Sequence, residues 1–205
     1  MTEKFFFEDW VGKSIKLHAT NPPSEWKLIK KLSDKTSQKS AEAYHESPTP
    51  SAAFGSFICQ NATDPTDEAF MRIIMQIPYR GSEYAIHAER ARQACEEASG
   101  ITYSELCAVD LLRNNACTAA PRIRTLEAPI QDDSMLVPGG RVYYILMDKA
   151  RGVQLSEDLF WSYERGERDR IREAYKEAWR CVLFCSVLPH VEPTYLPTHP
   201  LILSP

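Results

Sequence analysis

The chain has 205 residues, 43% of them hydrophobic, and a net charge of −4, which suits one globular domain or one domain with an extension. Its charge offers no basic surface for nucleic acid, and no apolar run approaches the roughly 20 residues that span a bilayer. Acidic residues near the N-terminus are untypical of a signal peptide. We therefore expect a cytoplasmic protein that contacts neither nucleic acid nor membrane.

The first 50 residues predict little regular structure. Apolar residues between Trp10 and Leu17 indicate a short strand, and those between Trp26 and Leu32 have the spacing of one or two amphipathic turns. Residues 33–50 are mainly Ser, Thr, Lys, Glu and Pro, a composition typical of a mobile loop or linker. We predict an N-terminal arm and linker over residues 1–50.

Two strands joined by a polar turn follow this linker. Residues 54–60 and 69–77 are rich in apolar and aromatic side chains, and residues 61–67 between them are polar, so a hairpin is predicted. The second strand alternates strictly between two sets of side chains. This alternation predicts one wholly apolar face and one face that carries Arg72 and Gln76.

Two helices are predicted after the hairpin. Residues 82–99 are rich in Ala, Glu, Arg and Gln, and Gly100 stands where helices commonly stop. A second helix over residues 102–114 begins with Thr102-Tyr-Ser-Glu105, which has the pattern of a capping box. In this interpretation, which we prefer, Glu105 closes the cap and has a structural role.

The rest of the chain is organised around residues 142–152. A short β-branched and aromatic run at 142–147 follows a Pro-Gly-Gly turn and predicts a buried strand that ends in a polar elbow; residues 121–126 predict another strand. Residues 162–185 predict a long helix, and the prolines of 188–205 predict an irregular tail. We expect the apolar stripe of this helix to be buried: Ile171, Ala174, Tyr175, Ala178, Trp179, Val182 and Leu183.

The six cysteines indicate reduced thiols rather than a disulfide framework or a metal centre. They are scattered without a Cys-x-x-Cys motif and lie mostly within apolar patterns. Cys181, Cys185 and His190 lie close together in the sequence, but a fourth ligand is missing. We therefore predict no metal site.

The order strand, strand, helix, strand, loop, strand, elbow and helix resembles the small lobe and first large-lobe helix of the kinase-like fold. The segments 70–79, 136–140 and 143–152 look like those of fungal protein-kinase-like proteins related to aminoglycoside and choline phosphotransferases. The resemblance covers about residues 54–185. It implies an α+β fold, with an antiparallel sheet and helices at 51–150, then a hinge and one long amphipathic helix at 151–187, and a tail at 188–205.

The resemblance also implies a set of nucleotide-binding residues. Arg72 stands on the strand that normally carries a phosphate-contacting lysine, and Glu105 matches the helix glutamate that pairs with that base. The elbow matches the hinge whose backbone binds adenine, namely Met147, Asp148, Lys149 and Ala150.

The chain departs from this family at the catalytic positions. Kinases use an aspartate and an asparagine on a catalytic loop and a second aspartate for Mg²⁺, whereas no aspartate occurs after Asp169 and no glycine-rich phosphate loop is present. We expect no catalytic residues and no metal ligands, and at most ATP binding without Mg²⁺. A kinase-like chain that is truncated or remodelled after the long helix would have this sequence.

Three functions remain open. The preferred one is a non-catalytic kinase-like module that binds a partner or, weakly, a nucleotide. The alternatives are a small-molecule phosphotransferase fragment completed by a longer transcript or a second chain, and an interaction or scaffold protein without a nucleotide site. The face of the long helix at 171–183 is the expected surface for a protein partner or for self-association.

Overall fold

The computed structural model describes residues 5–6, 8–115, 117, 119–150, 153–184 and 202–203. These residues form two compact units. The first comprises the described residues of Met1–Glu105 and Ile123–Asp148, and the second those of Leu106–Arg122 and Lys149–Pro205.

The first unit is built on a six-stranded antiparallel sheet. Its strands are β1 (Ser14–Leu17), β2 (Ser24–Ser37), β3 (Ser51–Asn61), β4 (Glu68–Ile77), β5 (Ile123–Glu127) and β6 (Val142–Asp148). They lie in the order β1-β2-β3-β4-β6-β5. The unit also holds a 3₁₀ turn at Glu8–Trp10, the helices α1 (Ala41–Glu46) and α2 (His87–Ala91), and the start of α3 (Gly100–Asn114).

One face of this sheet carries the main hydrophobic core. The apolar face predicted for β4 lies there, and it packs with residues of β1, β2, β3 and β6 and with Phe5 and Phe6. Complete burial of side chains such as Leu28, Phe57 and Met71 removes a large apolar area from water, which favours folding at roughly 25 cal/mol per Å². The α+β fold class and the β3–β4 hairpin are confirmed.

The N-terminal region is more regular than the sequence indicates. Residues 14–17 form the predicted short strand, but residues 24–37 form β2 where amphipathic turns and a linker were expected, and residues 41–46 form α1. Two irregularities in the pairing of β2 with β3, at Leu28/Lys30 and Lys31/Ser33, break its alternation. Trp26 and Leu28 precede these irregularities and are buried, whereas Ile29 and Leu32 lie at them and are exposed. The spacing of these four apolar residues imitates a helix.

The predicted helix over residues 82–99 is wrong except for α2. Tertiary hydrogen bonds fix this segment to distant residues: from within α2, Arg90 Nη1 donates to the carbonyl oxygens of Met135 and Leu136, at 3.1 and 2.6 Å. Gln76 Nε2 donates to the Gln93 carbonyl oxygen at 2.5 Å. Ile86, directly before α2, is 68% exposed and so does not belong to a buried helix face. Local helix propensity is overridden here by contacts with distant residues.

Buried glutamines form the polar counterpart of the core. Besides its bond to residue 93, Gln76 accepts from the Cys95 backbone N–H through Oε1. Gln131, 2% exposed, donates to the Gln76 carbonyl oxygen at 2.9 Å and accepts from the Val137 N–H at 3.0 Å. These bonds fix the loops around residues 93–95 and 131–137 to the end of β4.

The second unit is mainly helical. It contains the rest of α3, the helices α4 (Glu157–Ser162) and α5 (Arg165–Phe184), and the antiparallel pair β7 (Val153–Gln154) and β8 (Ile202–Leu203). The long helix is thus confirmed, but its stripe is not uniformly buried. Ile171 is 6% exposed, whereas Tyr175 is 42% exposed and stacks on the partly buried Trp179, with ring centroids 6.2 Å apart.

Among the described residues, no helix has the length and apolar character needed to cross a bilayer.

Candidate functional site

Arg72 lies in the middle of β4, on the sheet face opposite the main core. Its register partners are Ser56 on β3 and Ile145 on β6. The side chain is only 9% exposed, and its guanidinium lies 5.3 Å from the centroid of the Phe54 ring. A buried charge of this kind is tolerated only when it is paired and hydrogen-bonded.

Glu105 supplies that pairing. Nε of Arg72 donates to Glu105 Oε1 at 2.6 Å and Nη2 donates to Oε2 at 2.9 Å, so the two planar groups meet edge to edge. Ser56 Oγ accepts a third bond from Nη1 at 2.9 Å. Two parallel N–H···O bonds to a carboxylate are the strongest arrangement that an arginine makes.

The capping-box interpretation of Glu105 is wrong. Helix α3 begins at Gly100, so Thr102 lies inside its first turn, and its backbone N–H donates to Ser99 Oγ at 3.3 Å. Because Ser99 takes the capping role, the Glu105 carboxylate faces β4 instead of the helix terminus. Glu105 is thus paired with Arg72, which lies 33 residues earlier in the sequence.

The pair leaves Arg72 little capacity for a phosphate. A guanidinium has five N–H groups, and three of them are donated to Glu105 and Ser56. Two N–H groups, one on each terminal nitrogen, have no acceptor among the described residues. The positive charge is also compensated by the carboxylate, which is itself 23% exposed.

Met147 lies on the same sheet face as Arg72. It pairs with Phe70 on one side and with Ile123 on the other, two positions along the strands from the Arg72–Ile145 pair. Two residues along a strand correspond to about 7 Å, so this end of the predicted hinge lies within the span of a nucleotide from the Arg72 position.

Asp148 belongs to a second charged cluster, on the core face of the sheet. Arg124 Nε donates to its Oδ1 at 2.5 Å, and Arg124 Nη1 donates to both carboxylate oxygens of Asp67 at 2.9 and 3.1 Å. The guanidinium lies 5.4 Å from the Trp26 ring. Asp148 is thus an ion-pair residue that ties β6 to β5 and to the β3–β4 turn, and its carboxylate points away from the Arg72 face.

Burial and neighbouring charges shift the pKa values of this cluster in opposite directions. Burial of Arg124 lowers its pKa, but hydrogen bonds and charge from Asp148 and Asp67 outweigh burial and raise the pKa above its ordinary value. Burial also raises the pKa of the neighbouring Cys59 thiol to about 12, against a smaller lowering by Arg124. Sequence reasoning missed this cluster, because its members are separated by 24 and 57 residues.

The remaining predicted hinge residues follow β6 directly. Lys149 is exposed and Ala150 partly buried, and both belong to the second unit. Within the first unit, a recess of about 10 Å³ lies on the Arg72 face, lined by residues that include Ile74, Thr102 and Tyr143. This recess has room for about one water molecule. The role of Arg72, Glu105, Met147, Asp148, Lys149 and Ala150 in binding a cofactor stays a prediction.

No three His, Cys, Asp or Glu side chains of the described part of the chain come together as a metal site. Cys185 and His190, considered above as metal ligands, lie outside the described residues. No protein-family model, curated protein or solved structure matches this chain.

Proposed function

We propose that this chain is a kinase-like module that binds a ligand but transfers no phosphate by itself. The observation that carries this proposal is the bidentate contact of Arg72 on β4 with Glu105 on α3. An ion pair between a base on a central strand and a glutamate on the following helix is a feature of protein kinases.

The succession of elements around the pair supports the same proposal. The chain runs through β3, β4, α3, β5 and β6, and β6 returns to pair with β4. This return puts Arg72 and Met147 on one sheet face, which supports the proposal that the first contacts phosphate and the second belongs to a hinge. The proposed ligand is therefore a nucleotide whose adenine contacts the backbone at Met147 and whose phosphates extend towards Arg72.

The residues on this face fit a nucleotide only weakly. Arg72 offers two N–H groups and a compensated charge. Residues 38–50, which connect β2 and β3, contain no glycine that would let the backbone close over phosphates. Gly55 does not serve this purpose either, since an added Cβ there would lie 2.8 Å from Phe57 and 2.9 Å from Phe6. That glycine makes room for two core rings.

The proposal of a non-catalytic role rests on the absence from this sequence of aspartates that phosphate transfer needs. No aspartate follows Asp169 in these 205 residues, so the chain supplies neither the acceptor-orienting aspartate nor the Mg²⁺-binding one after its long helix. Asp148, a residue of the predicted hinge, and Asp67 are both bonded to Arg124. They are therefore committed to an ion pair.

An interaction protein without a nucleotide site is the second candidate. Tyr175 is 42% exposed beside Trp179, and exposed charges of both signs surround them on α5, as in the pairs Asp169–Arg172 and Glu173–Lys176. A surface with both signs suits pairing with a second copy of the chain. Sedimentation velocity of wild type and Tyr175→Ser tests this candidate, since the substitution should lower self-association if the face is used.

A phosphate-transfer assay tests the preferred function. The purified chain is incubated with γ-labelled ATP and Mg²⁺ and with aminoglycosides, choline or a generic protein as the acceptor, and we expect no transfer above the background without protein. Glu105→Gln serves as a matched variant with a defect at the proposed site. Transfer that survives repurification and is lost in this variant would overturn the proposal.

A further inference from the structure

Two cysteines of the second unit approach each other closely. Sγ of Cys117 and Sγ of Cys181 lie 3.3 Å apart, although 64 residues separate them in the sequence. A disulfide bond is about 2.05 Å long, so closing the pair requires a relative movement of only about 1 Å.

Cys181 belongs to a helix, and Cys117 closely follows one. The Cys117 backbone N–H donates to the Leu112 carbonyl oxygen at 3.2 Å, which fixes it directly after α3. Cys181 lies in the last turn of α5. The short sulfur–sulfur distance therefore follows from the placement of two helix ends.

We propose that Cys117 and Cys181 form a reversible disulfide when the protein meets a hydroperoxide, which makes this pair a site of oxidative modification. Burial distinguishes the two sulfurs, since Cys117 is 9% exposed and Cys181 is more accessible. Cys181 is accordingly the sulfur that the oxidant reaches first, and Cys117 is the resolving thiol.

The chemistry balances with hydrogen peroxide as the oxidant. The Cys181 thiolate attacks one peroxide oxygen, the O–O bond breaks, and the departing hydroxide takes up a proton to give water and a sulfenic acid. The Cys117 thiolate then attacks the sulfenic sulfur, the S–O bond breaks, and the hydroxide leaves as a second water molecule. Two thiols and one peroxide thus yield one disulfide and two waters, and a dithiol reductant reverses the reaction by exchange.

The bond would restrict the second unit. It would join the segment after α3 to the end of α5 and close a loop of 64 residues. Closing a loop of this length restricts the unfolded chain, so the oxidised protein should melt roughly 5–10 °C higher than the reduced protein.

Mass spectrometry of the full chain tests the proposal. The reduced protein is treated with stoichiometric hydrogen peroxide, remaining thiols are blocked with iodoacetamide, and the protein is digested with trypsin without reduction. Tryptic cleavage places Cys117 in peptide 114–122 and Cys181 in peptide 181–205, which also contains Cys185. A Cys185→Ser background removes this ambiguity.

We expect the two peptides to appear cross-linked, at a mass lower by two hydrogen atoms than their sum, and to separate on reduction. Cys107→Ser on α3 is the matched control and should leave the cross-link unchanged, whereas Cys181→Ser should abolish it. Buried Cys59, with its raised pKa, should stay reduced. A cross-link to another cysteine, a disulfide between two chains, or recovery of both peptides unlinked after oxidation would overturn the proposal.

Discussion

Replacing Glu105 by glutamine tests the charged pair on which the proposed function rests. The change keeps the size of the side chain and one oxygen that can accept from Arg72 Nε. It removes the negative charge. In the wild type, Arg72 Nη2 donates to a carboxylate oxygen at 2.9 Å, whereas in the variant it would face an amide N–H₂ group, which cannot accept that bond. The guanidinium would remain buried without its compensating charge.

The expected cost follows from the burial of the two groups. Breaking a fully buried pair by removing one partner costs about 3–5 kcal/mol. Arg72 is 9% exposed, but Glu105 is 23% exposed, so water would solvate part of the uncompensated charge. We therefore expect the free energy of unfolding to fall by about 2–3 kcal/mol, measured by urea denaturation with tryptophan fluorescence.

Two controls make this measurement specific. Asp110→Asn makes the same chemical change at an exposed position of α3 and should alter stability by less than about 0.5 kcal/mol. The double variant Arg72→Met/Glu105→Gln removes both charges. Its loss in free energy of unfolding should be smaller, by at least about 1 kcal/mol, than the summed losses of the two single variants. If Glu105→Gln costs no more than Asp110→Asn, the pair does not form and the argument fails.

The remaining predictions concern the cores of the two units. Because burial raises the pKa of Cys59 from 9.0 to about 12, the folded state keeps a proton that the unfolded state loses. The contribution of this proton to the free energy of unfolding is complete below pH 9 and falls by about 1.4 kcal/mol per pH unit from pH 9 to 12. The non-titrating Cys59→Ser should show a shallower fall in denaturant melts; equal slopes would refute this. Ile171→Ala should cost about 2–4 kcal/mol in the same melts, and Trp179→Ala, whose ring is partly exposed, only about 1–2 kcal/mol. A larger loss for Trp179 would show that α5 buries its aromatic end.

Strands and helices with an unbroken period could be predicted from the sequence. β4 alternates without interruption, so its apolar face and the position of Arg72 were correct, and α5 keeps a helical spacing over most of its length. The pattern of β2 is broken by two irregularities in its pairing with β3. An extra residue in a strand shifts the following side chains to the other face, so the strand resembled a helix.

Contacts between distant residues explain the other failures. The local sequence around Glu105 indicates a capping box, whereas its observed contact is with Arg72, which lies 33 residues away. Residues 82–99 have helix-forming composition, but bonds to distant residues, such as the one from Gln76 to the Gln93 carbonyl oxygen, hold the chain after α2 in turns. The Arg124 cluster gave no local signal, since an arginine and two aspartates at these separations resemble ordinary surface residues.

Calorimetric titration with nucleotide tests the central claim most directly. ATP and AMP are each titrated into the full chain with and without Mg²⁺. Since the phosphates would meet only two N–H groups of a compensated arginine, we expect both to bind with similar dissociation constants, near 1 mM or weaker, and Mg²⁺ to have no effect. Low micromolar, Mg²⁺-dependent binding of ATP but not AMP would contradict the account, because it would require metal ligands and phosphate contacts that the proposed site lacks.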